Sequence, residues 1–206
     1  MTRDDLTARR GAETTVYQPA EDSALLARAA VENVSGGERV LEVGTGSGWV
    51  AGRVAVETRA DVVASDLNPH ACRQARDRGR ELGDGGESAF EVVAADLVSA
   101  FSDGTLDVVL FNPPYLPTDP DNEWGDWMER ALSGGKSGRA VIEPFLDTVG
   151  RVLAPGGCVL LLVSSLTGYE TVLDYARERG FEAAKTVEES YPFETLTVVR
   201  LTQIDS

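Results

Sequence analysis

The sequence has few lysines and an excess of acidic residues. Only Lys136 and Lys185 are lysines among its 19 basic residues, against 34 acidic ones, and the formal net charge is −15. A surface this acidic repels phosphate backbones, which argues against a nucleic-acid partner. A halophilic source would also explain the composition, because concentrated salt screens the repulsion between carboxylates. We favour this second interpretation, so the charge says little about partners.

Cysteines are also scarce, and long apolar runs are absent. Cys72 and Cys158 are too far apart to form a metal-ligand motif, so we expect no metal site and apolar packing roles for both. No run of about 18 apolar residues could span a membrane, and the N-terminus lacks the apolar segment of a signal peptide. We therefore expect a cytoplasmic protein. Its length predicts a single domain over residues 1–206, with residues 1–15 as a flexible N-terminus.

Apolar strand segments alternate with amphipathic helix segments along the chain. The predicted strands are ERVLEVG, ADVVASD, FEVVAAD, LDVVLFNPP, CVLLLVSS, FEAAKTVEES and ETLTVVRLT. Apolar strands joined through helices predict an α/β fold, with a mostly parallel sheet covered on both faces. The last two segments alternate in polarity without an intervening helix, which predicts an antiparallel pair at the sheet edge. Ligands of such sheets bind at the carboxyl ends of the strands.

The first predicted strand ends in Glu42, followed by the glycine-rich loop Gly44-Thr45-Gly46-Ser47-Gly48. Glycines allow a tight turn and a close approach by a ligand, although a turn without a ligand would use them too. The spacing differs from the dinucleotide fingerprint, whose third glycine would fall at Trp49. A carboxylate at Glu42 suits a cationic or hydroxyl-bearing ligand better than a phosphate.

Acidic residues also end the second and third predicted strands. Asp66 could accept hydrogen bonds from a ribose diol, and Asp66 or Asn68 could cap the helix that begins near Pro69; both roles can hold together. Asp96 could accept a hydrogen bond from an amino group while Leu97 packs on a ring; alone, Asp96 would be a surface acid. Together, the three strand ends predict a site for a ribonucleoside without a phosphate, and S-adenosylmethionine fits that description.

The fourth predicted strand ends in Asn112-Pro113-Pro114-Tyr115, which resembles motif IV of the class I methyltransferases that act on planar nitrogens. More of the chain resembles one subfamily, the HemK-related enzymes that methylate class I release factors in archaea and eukaryotes. The matching stretches, in order and spacing, are VYQPAEDSALL (16–26), LEVGTGSG, SDLNPHA, FNPPYLP and SGGKSGR. The resemblance covers nearly the whole chain.

This resemblance implies a class I methyltransferase fold, Rossmann-like, with a seven-stranded, mostly parallel sheet, one antiparallel edge strand and helices on both faces. It implies S-adenosyl-L-methionine as cofactor and the side-chain amide of the glutamine in a Gly-Gly-Gln motif as methyl acceptor. The implied partners are a class I translation release factor as substrate and a small zinc-ribbon activator protein in a heterodimer.

The resemblance also assigns roles to site residues. Asn112 would accept a hydrogen bond from the glutamine amide through its side-chain oxygen, and Pro113 would accept another through its carbonyl. Pro113 and Pro114 lack N–H donors and stiffen the loop, while Tyr115 would pack on the flat amide. The implied cofactor-binding residues are Ser23, Glu42, Gly44, Thr45, Gly46, Gly48, Asp66, Leu67, Asp96, Leu97 and Asn112.

Several alternatives stay open at this point. The same tetrapeptide serves amino-methyltransferases that act on adenine in nucleic acid, and lysine methylation of a protein is a further option. A partner that binds the cofactor without catalysis is a third, although Asn112 and Tyr115 argue against it.

Some single residues also have two interpretations. Tyr17, Pro19 and Glu21 either start a helix or help to close the site. The polar segment 118–136 either forms a lid or docking surface, or packs Trp124 and Trp127 on the core. We assign no catalytic role to His70, which we expect at the surface or at a helix cap.

Overall fold

The computed structural model describes residues 15–118 and 127–204. The strands are β1 (Arg39–Val43), β2 (Asp61–Asp66), β3 (Glu91–Ala94), β4 (Leu106–Phe111), β5 (Leu153–Ser164), β6 (Phe181–Ser190) and β7 (Thr195–Gln203). The helices are α1 (Glu21–Asn33), α2 (Trp49–Thr58), α3 (Pro69–Leu82), α4 (Trp127–Leu132), α5 (Ile142–Val149) and α6 (Tyr169–Glu178), with a 3₁₀ helix at Ser165–Thr167. Except for Thr15, the predicted flexible N-terminus lies outside these residues.

The strands form one seven-stranded sheet in the order β3-β2-β1-β4-β5-β7-β6. Strands β1 to β5 pair in parallel, whereas β7 is antiparallel to both of its neighbours. The predicted mixed edge is therefore confirmed, and the antiparallel strand lies one position inside the edge strand β6. Between β1 and β4 the strand order reverses, so this is the point where such sheets bind ligands.

Both faces of the sheet are covered by helices. Leu110 and Leu160 point to the face that carries α1, α2 and α3, and their neighbours Val109 and Leu161 point to the face that carries α5 and α6. All four side chains are fully buried. Burial on both faces explains why the central strands are continuously apolar instead of alternating.

The start of α3 resolves one alternative in the sequence. Asn68 is its N-cap, because the Asn68 side-chain oxygen accepts a hydrogen bond of 2.9 Å from the His70 backbone N–H, and Pro69 occupies the first turn. Asp66 is thus free of the capping role. His70 lies exposed in this first turn, as expected.

The prediction for the two cysteines is also confirmed. Cys72 and Cys158 are buried and unpaired, as expected of small apolar fillers. No helix within residues 15–118 and 127–204 is long and apolar enough to cross a membrane.

Candidate active site

A cavity of about 580 Å³ opens at the carboxyl ends of β1, β2 and β4. It brings together all of the predicted site residues except Gly48. Those that line it are Ser23, Glu42, Gly44, Thr45, Gly46, Asp66, Leu67, Asp96, Leu97, Asn112, Pro113, Pro114 and Tyr115. Residues from five separate chain segments therefore converge at the switch point of the sheet.

The three glycines after β1 have two different structural roles. Gly44 and Gly46 line the cavity with φ of 65° and 55°, and a Cβ on Gly46 would lie 3.3 Å from the Tyr17 carbonyl oxygen. Gly48, with φ of 74°, lies outside the cavity wall, and its Cβ would come within 2.9 Å of Ala75. The first two glycines let the chain turn beside a ligand. The third lets α2 pack against α3.

Glu42 is a buried acid at the end of β1. Its Oε2 accepts hydrogen bonds from Thr45 Oγ1 at 2.6 Å and from the Ala51 N–H at 2.8 Å. Burial raises the pKa of Glu42 to about 8, although these two hydrogen bonds oppose the shift; nearby Asp66 adds to it. A cationic ligand in the cavity would favour the ionised form. The ionised Glu42 carboxylate would then interact favourably with that positive charge.

Asp66 connects the end of β2 to the glycine-rich loop. Its Oδ2 accepts a hydrogen bond of 2.9 Å from the Gly46 N–H, and its Oδ1 accepts one of 2.8 Å from the Asn68 N–H. Burial raises the pKa of Asp66, and the backbone hydrogen bonds oppose that shift. An ionised carboxylate has about four lone-pair sites, so it can also accept from ligand hydroxyls.

Aliphatic side chains stand where β2 and β3 end. Leu67 is 54% exposed although it lines the cavity, and Leu97 is partly buried. Leu97 has φ of 47°, a left-handed conformation that is rare for leucine and costs roughly 1–3 kcal/mol. Asp96 is exposed, and its carbonyl accepts a hydrogen bond of 3.0 Å from the Ser99 N–H. Such side chains suit the faces of a flat ring, with a carboxylate beside them.

Asn112 follows β4 and carries an unsatisfied acceptor. Within the described ranges, its Oδ1 is the single buried side-chain polar atom without a hydrogen-bond partner. A buried polar atom left unpaired costs about 1–3 kcal/mol, so its retention calls for a reason. Here the reason is its place in the cavity wall beside buried Pro113 and Tyr115. A bound donor would satisfy it.

The loop that carries Asn112 is held by the segment 133–139, the SGGKSGR stretch. The Leu116 N–H donates to the Leu132 carbonyl at 3.0 Å, and the Gly134 N–H donates back to the Leu116 carbonyl at 2.9 Å. A Cβ on Gly138 would lie 2.7 Å from the Tyr115 carbonyl oxygen, so glycine is needed there. The segment thus packs its backbone directly against the tetrapeptide.

Arg139 fastens this segment to the far end of β5. Its guanidinium donates a hydrogen bond of 2.6 Å to the Thr167 carbonyl and another of 3.1 Å to Glu143. Thr167 is itself buried. The loop after β4 is therefore braced from a neighbouring strand end and not only by its own prolines.

The stretch before α1 forms another wall of the cavity. Tyr17 OH donates a hydrogen bond of 3.0 Å to Asp22 Oδ2, and the Ser23 N–H and hydroxyl both contact Asp22 Oδ1. Tyr17 and Pro19 line the cavity, whereas Glu21 is exposed at the start of the helix. The stretch leads into a helix that begins at Glu21, and Tyr17 and Pro19 line the cavity whereas Glu21 does not; a role in closing the site stays a prediction.

Sequence reasoning missed several lining residues. Asp22, Trp49, Glu129 and Arg130 line the cavity in addition to the predicted set. Buried Asp22 lies inside the 16–26 stretch and could have been singled out there. Trp127 of α4 also lines the cavity, with the Arg130 guanidinium 5.3 Å from its ring centre, whereas Trp124 lies outside the described residues.

The chain is similar to proteins with a common activity. Residues 40–135 match the family model of the methyltransferase domain. A Methanocaldococcus jannaschii protein, provisionally named a protein N5-glutamine methyltransferase, is 36% identical over 89% of this chain and 90% of its own length. The human methyltransferase HEMK2 is 31% identical over 94% of this chain and 92% of its own length. A release factor glutamine methyltransferase of Deinococcus radiodurans is 36% identical over 60% of this chain and 44% of its own.

Solved structures agree with these relatives. The E. cuniculi Mtq2–Trm112 complex, responsible for methylation of the eRF1 translation termination factor, has a chain 29% identical to this one, with a TM-score of 0.71. The match covers 93% of this chain and all of that chain. P. horikoshii TYW2 in complex with MeSAdo, 15% identical with a TM-score of 0.63, shares the fold over 92% of this chain and 65% of that chain. The chain belongs to the HemK-related family of class I, S-adenosylmethionine-dependent methyltransferases.

Proposed function

We propose that this protein transfers a methyl group from S-adenosyl-L-methionine to the side-chain amide nitrogen of a glutamine. The acceptor is the glutamine in the Gly-Gly-Gln motif of a class I translation release factor. The observation that carries the proposal is the unpaired, buried Oδ1 of Asn112 in the cavity wall. This oxygen is an acceptor that has no hydrogen-bond donor, and the primary amide of a glutamine carries two N–H donors. The names of the relatives point to the same substrate.

The residues of the cavity fit the cofactor. Gly44 and Gly46 keep one wall free of side chains, and Asp66 offers carboxylate oxygens to a ribose diol. Leu67 and Leu97 provide apolar contacts for adenine, with Asp96 beside them for its amino group. Glu42, whose burial raises its pKa to about 8, would ionise on cofactor binding and interact with the positive charge of the methionine end. The bound cofactor supplies an electrophilic methyl group.

The protein side of the reaction is orientation. An amide nitrogen is a weak nucleophile because its lone pair is delocalised into the carbonyl. Asn112 Oδ1 and the Pro113 carbonyl would each accept one N–H of the glutamine, so that the nitrogen lone pair points at the methyl group. Tyr115 would support the flat amide from one side. Placement of this kind is worth up to roughly 7–11 kcal/mol in favourable cases.

Proton transfer needs no strong base in this scheme. The nitrogen becomes acidic only after it has gained the methyl group, and its proton then leaves to solvent. His70 is exposed at the start of α3, and the lining residues do not include it. This arrangement agrees with orientation, and not deprotonation, as the source of rate.

A partner protein has a natural place at the sheet edge. Strand β3 pairs on one side with β2 and ends the sheet on the other, and its residues Val92 and Val93 remain partly exposed. A partly exposed apolar edge strand invites another chain to pair with it. We propose that a small zinc-ribbon activator covers this edge, as the partner of a heterodimer. The support is the related Mtq2, which forms a complex with Trm112.

The proposed substrate also bears on location. A release factor acts on ribosomes, so we place this single-domain enzyme in the cytoplasm. Its charge of −15 is consistent with a cytoplasm of high salt, where screening lowers carboxylate repulsion. A free energy of unfolding that falls on adding potassium chloride would contradict this halophilic adaptation.

One assay tests the activity. The protein, alone and with its activator, is incubated with methyl-labelled S-adenosylmethionine and the matching release factor. The control is the same factor with the Gly-Gly-Gln glutamine changed to alanine. We expect label on the wild-type factor alone, and mass spectrometry should place one methyl group on that glutamine. Label on the alanine variant, or none on the wild-type factor under either condition, overturns the proposal.

A further inference from the structure

A hairpin tip projects from the end of the sheet where the cavity lies, which is the end formed by the carboxyl termini of the parallel strands. It consists of Tyr191–Glu194 and joins β6 to β7. Since β7 is antiparallel to β5, its first residues lie at the carboxyl end of β5, with Leu196 opposite Ser164. The carboxyl end of β5 is next to that of β4, where Phe111 pairs with Leu161 just before Asn112. The tip and the methyl-acceptor pocket thus lie at the same end of the sheet.

Phe193 at this tip is 93% exposed. The large apolar side chains exposed within the described ranges are Val56, Leu67, Leu82, Leu166, Phe193 and Ile204, and Phe193 is the most exposed and the one aromatic residue among them. Leu166, 37% exposed, lies in the 3₁₀ helix that adjoins the tip. Aromatic side chains contribute much of the binding free energy of protein interfaces when a partner buries them.

The base of the tip is firmly held. The Tyr191 N–H donates to the Glu194 carbonyl at 2.7 Å, and its OH donates to Glu189 at 2.7 Å while its ring packs on the core. Ser164 Oγ donates to Glu194 at 2.7 Å, and the Thr195 N–H donates to Ser165 Oγ at 3.0 Å. A ring displayed on a pre-ordered loop loses little entropy on binding, which favours an anchor role.

The tip is also connected to the pocket through the 3₁₀ helix. Ser165, which bonds the tip, begins that helix, and Thr167, which receives the Arg139 hydrogen bond, ends it. Arg139 belongs to the segment that braces the Asn112 loop. Only one turn of backbone therefore separates the tip from the brace of the methyl-acceptor loop.

The charge around the tip is negative. Glu194 belongs to the tip and Glu189 lies just before it. The hydrogen bond to Glu189 is the largest cause of the raised pKa of Tyr191, and Glu21 is close enough to contribute. Arg28, paired with Glu189 at 2.7 Å, is the nearby cation. A partner that fits has an apolar recess for a phenyl ring bordered by basic side chains.

We infer that the hairpin tip is a docking anchor for the methyl-accepting protein, with Phe193 inserted into an apolar, basic-rimmed recess of that protein. The inference rests on the proposed function. A single glutamine fills only the cavity, so a protein substrate must be recognised by surface outside it. The tip is held at its base by four hydrogen bonds, exposes the Phe193 ring, and lies at the same end of the sheet as the cavity. A second copy of this chain seated there would instead obstruct that end.

The test compares Phe193→Ser with Phe193→Trp and with Val56→Ser. Val56 is a matched control, because it is 54% exposed and lies near the end of α2, at the opposite end of the sheet from the cavity. Steady-state methylation of the release factor is measured for each variant and the wild type, together with the Kd for S-adenosylhomocysteine. We expect Phe193→Ser to raise KM for the release factor about 10-fold with kcat and Kd unchanged. Phe193→Trp and Val56→Ser should behave as wild type.

The outcomes separate the two claims. If the wild type transfers label and Phe193→Ser keeps a wild-type KM, the anchor is wrong while the activity stands. Wild-type self-association that Phe193→Ser abolishes, with KM unchanged, makes the tip a contact between copies and equally overturns the anchor. A wild type that transfers no label overturns the proposed function and the anchor with it. Circular dichroism of each variant shows that the fold is intact.

Discussion

Thr45 Oγ1 donates a hydrogen bond of 2.6 Å to Glu42 Oε2, and this buried contact joins the carboxyl end of β1 to the glycine-rich loop. Burial raises the pKa of Glu42 from 4.5 to about 8. The folded protein therefore holds a proton that the unfolded chain has released. The stability this proton confers is fully present below about pH 4.5 and is lost as pH rises through about 8.

Glu42→Gln should remove this pH dependence, because the amide cannot ionise and its oxygen can still accept from Thr45 and Ala51. As pH rises from about 5 to about 8, we expect the free energy of unfolding of the wild type to fall relative to that of the variant. Urea titrations across this range measure it. Glu57→Gln, an exposed acid on α2, serves as the control. Parallel pH profiles for wild type and Glu42→Gln would contradict the buried, protonated state.

The same substitution should change cofactor binding. Positive charge in the cavity favours the Glu42 carboxylate, so binding S-adenosylmethionine below about pH 8 releases a proton. We expect wild-type affinity to increase with pH up to about 8, by at most about tenfold per pH unit. Glu42→Gln should bind more weakly and without this slope. Calorimetry in two buffers of different ionisation enthalpy detects the proton, and its absence in the wild type would refute the assignment.

Asn112→Ala should separate catalysis from stability. Because Asn112 Oδ1 has no hydrogen bond to lose, we expect no fall in melting temperature. Methyl transfer should fall by roughly 100-fold or more, by analogy with the loss of one oriented hydrogen-bonding group in other enzymes. The Kd for S-adenosylhomocysteine should change little. Asn33→Ala, at a partly exposed position at the end of α1 outside the cavity lining, is the control for losing an asparagine. Equal losses of binding and transfer would mean that Asn112 mainly holds the cofactor.

Arg139→Gln should loosen the loop without touching either ligand. The variant keeps polarity but loses the hydrogen bond of Arg139 to the Thr167 carbonyl. We expect kcat to fall roughly 10- to 100-fold through misplacement of Asn112, with cofactor affinity unchanged. Arg80→Gln removes an arginine from an exposed helical ion pair outside the cavity lining and should leave kcat unaltered. A fall in cofactor affinity with kcat unchanged would show that Arg139 supports the cofactor-binding part of the cavity and not the Asn112 loop.

Gly48→Ala should destabilise the fold by more than backbone strain. Its Cβ would meet Ala75 at 2.9 Å, in a backbone with φ of 74°. Gly156, with φ of 78° and open space around its Cβ position, isolates the strain component. We expect Gly156→Ala to cost roughly 1 kcal/mol and Gly48→Ala roughly 2–4 kcal/mol in free energy of unfolding. Equal costs would mean that α2 and α3 can separate freely.

The sequence predicts what local chemistry determines. Apolar runs such as the one ending at Phe111 identify the central strands, and the residues that follow them identify the pocket. Asn68 shows where this stops, since either it or Asp66 suited the helix cap and only the path of the chain decides. Gly48 resembles the other glycines of the loop, yet its neighbour Ala75 comes from another helix. Such contacts depend on tertiary packing, to which nearby residues give no signal.

Other features were beyond the reach of local patterns. The left-handed backbone of Leu97 has no sequence signature, because leucine rarely adopts it and tertiary contacts must impose it. The position of β7 between β5 and β6 reverses chain order, and two alternating strands alone fit either arrangement. The lining residues of α4 come from a helix of only six residues, which is too short for its periodicity to show which face packs inward.

Trp49 and Trp127 give the cavity a property beyond binding and catalysis. They are two of the three tryptophans in the chain, and both indole rings stand in the wall of the pocket beside an arginine, Arg53 at 5.4 Å and Arg130 at 5.3 Å. Indole emission depends on the polarity and charge around the ring. Occupancy of the pocket is thus coupled to the intrinsic fluorescence of the protein, which can follow ligand entry in real time without any attached dye.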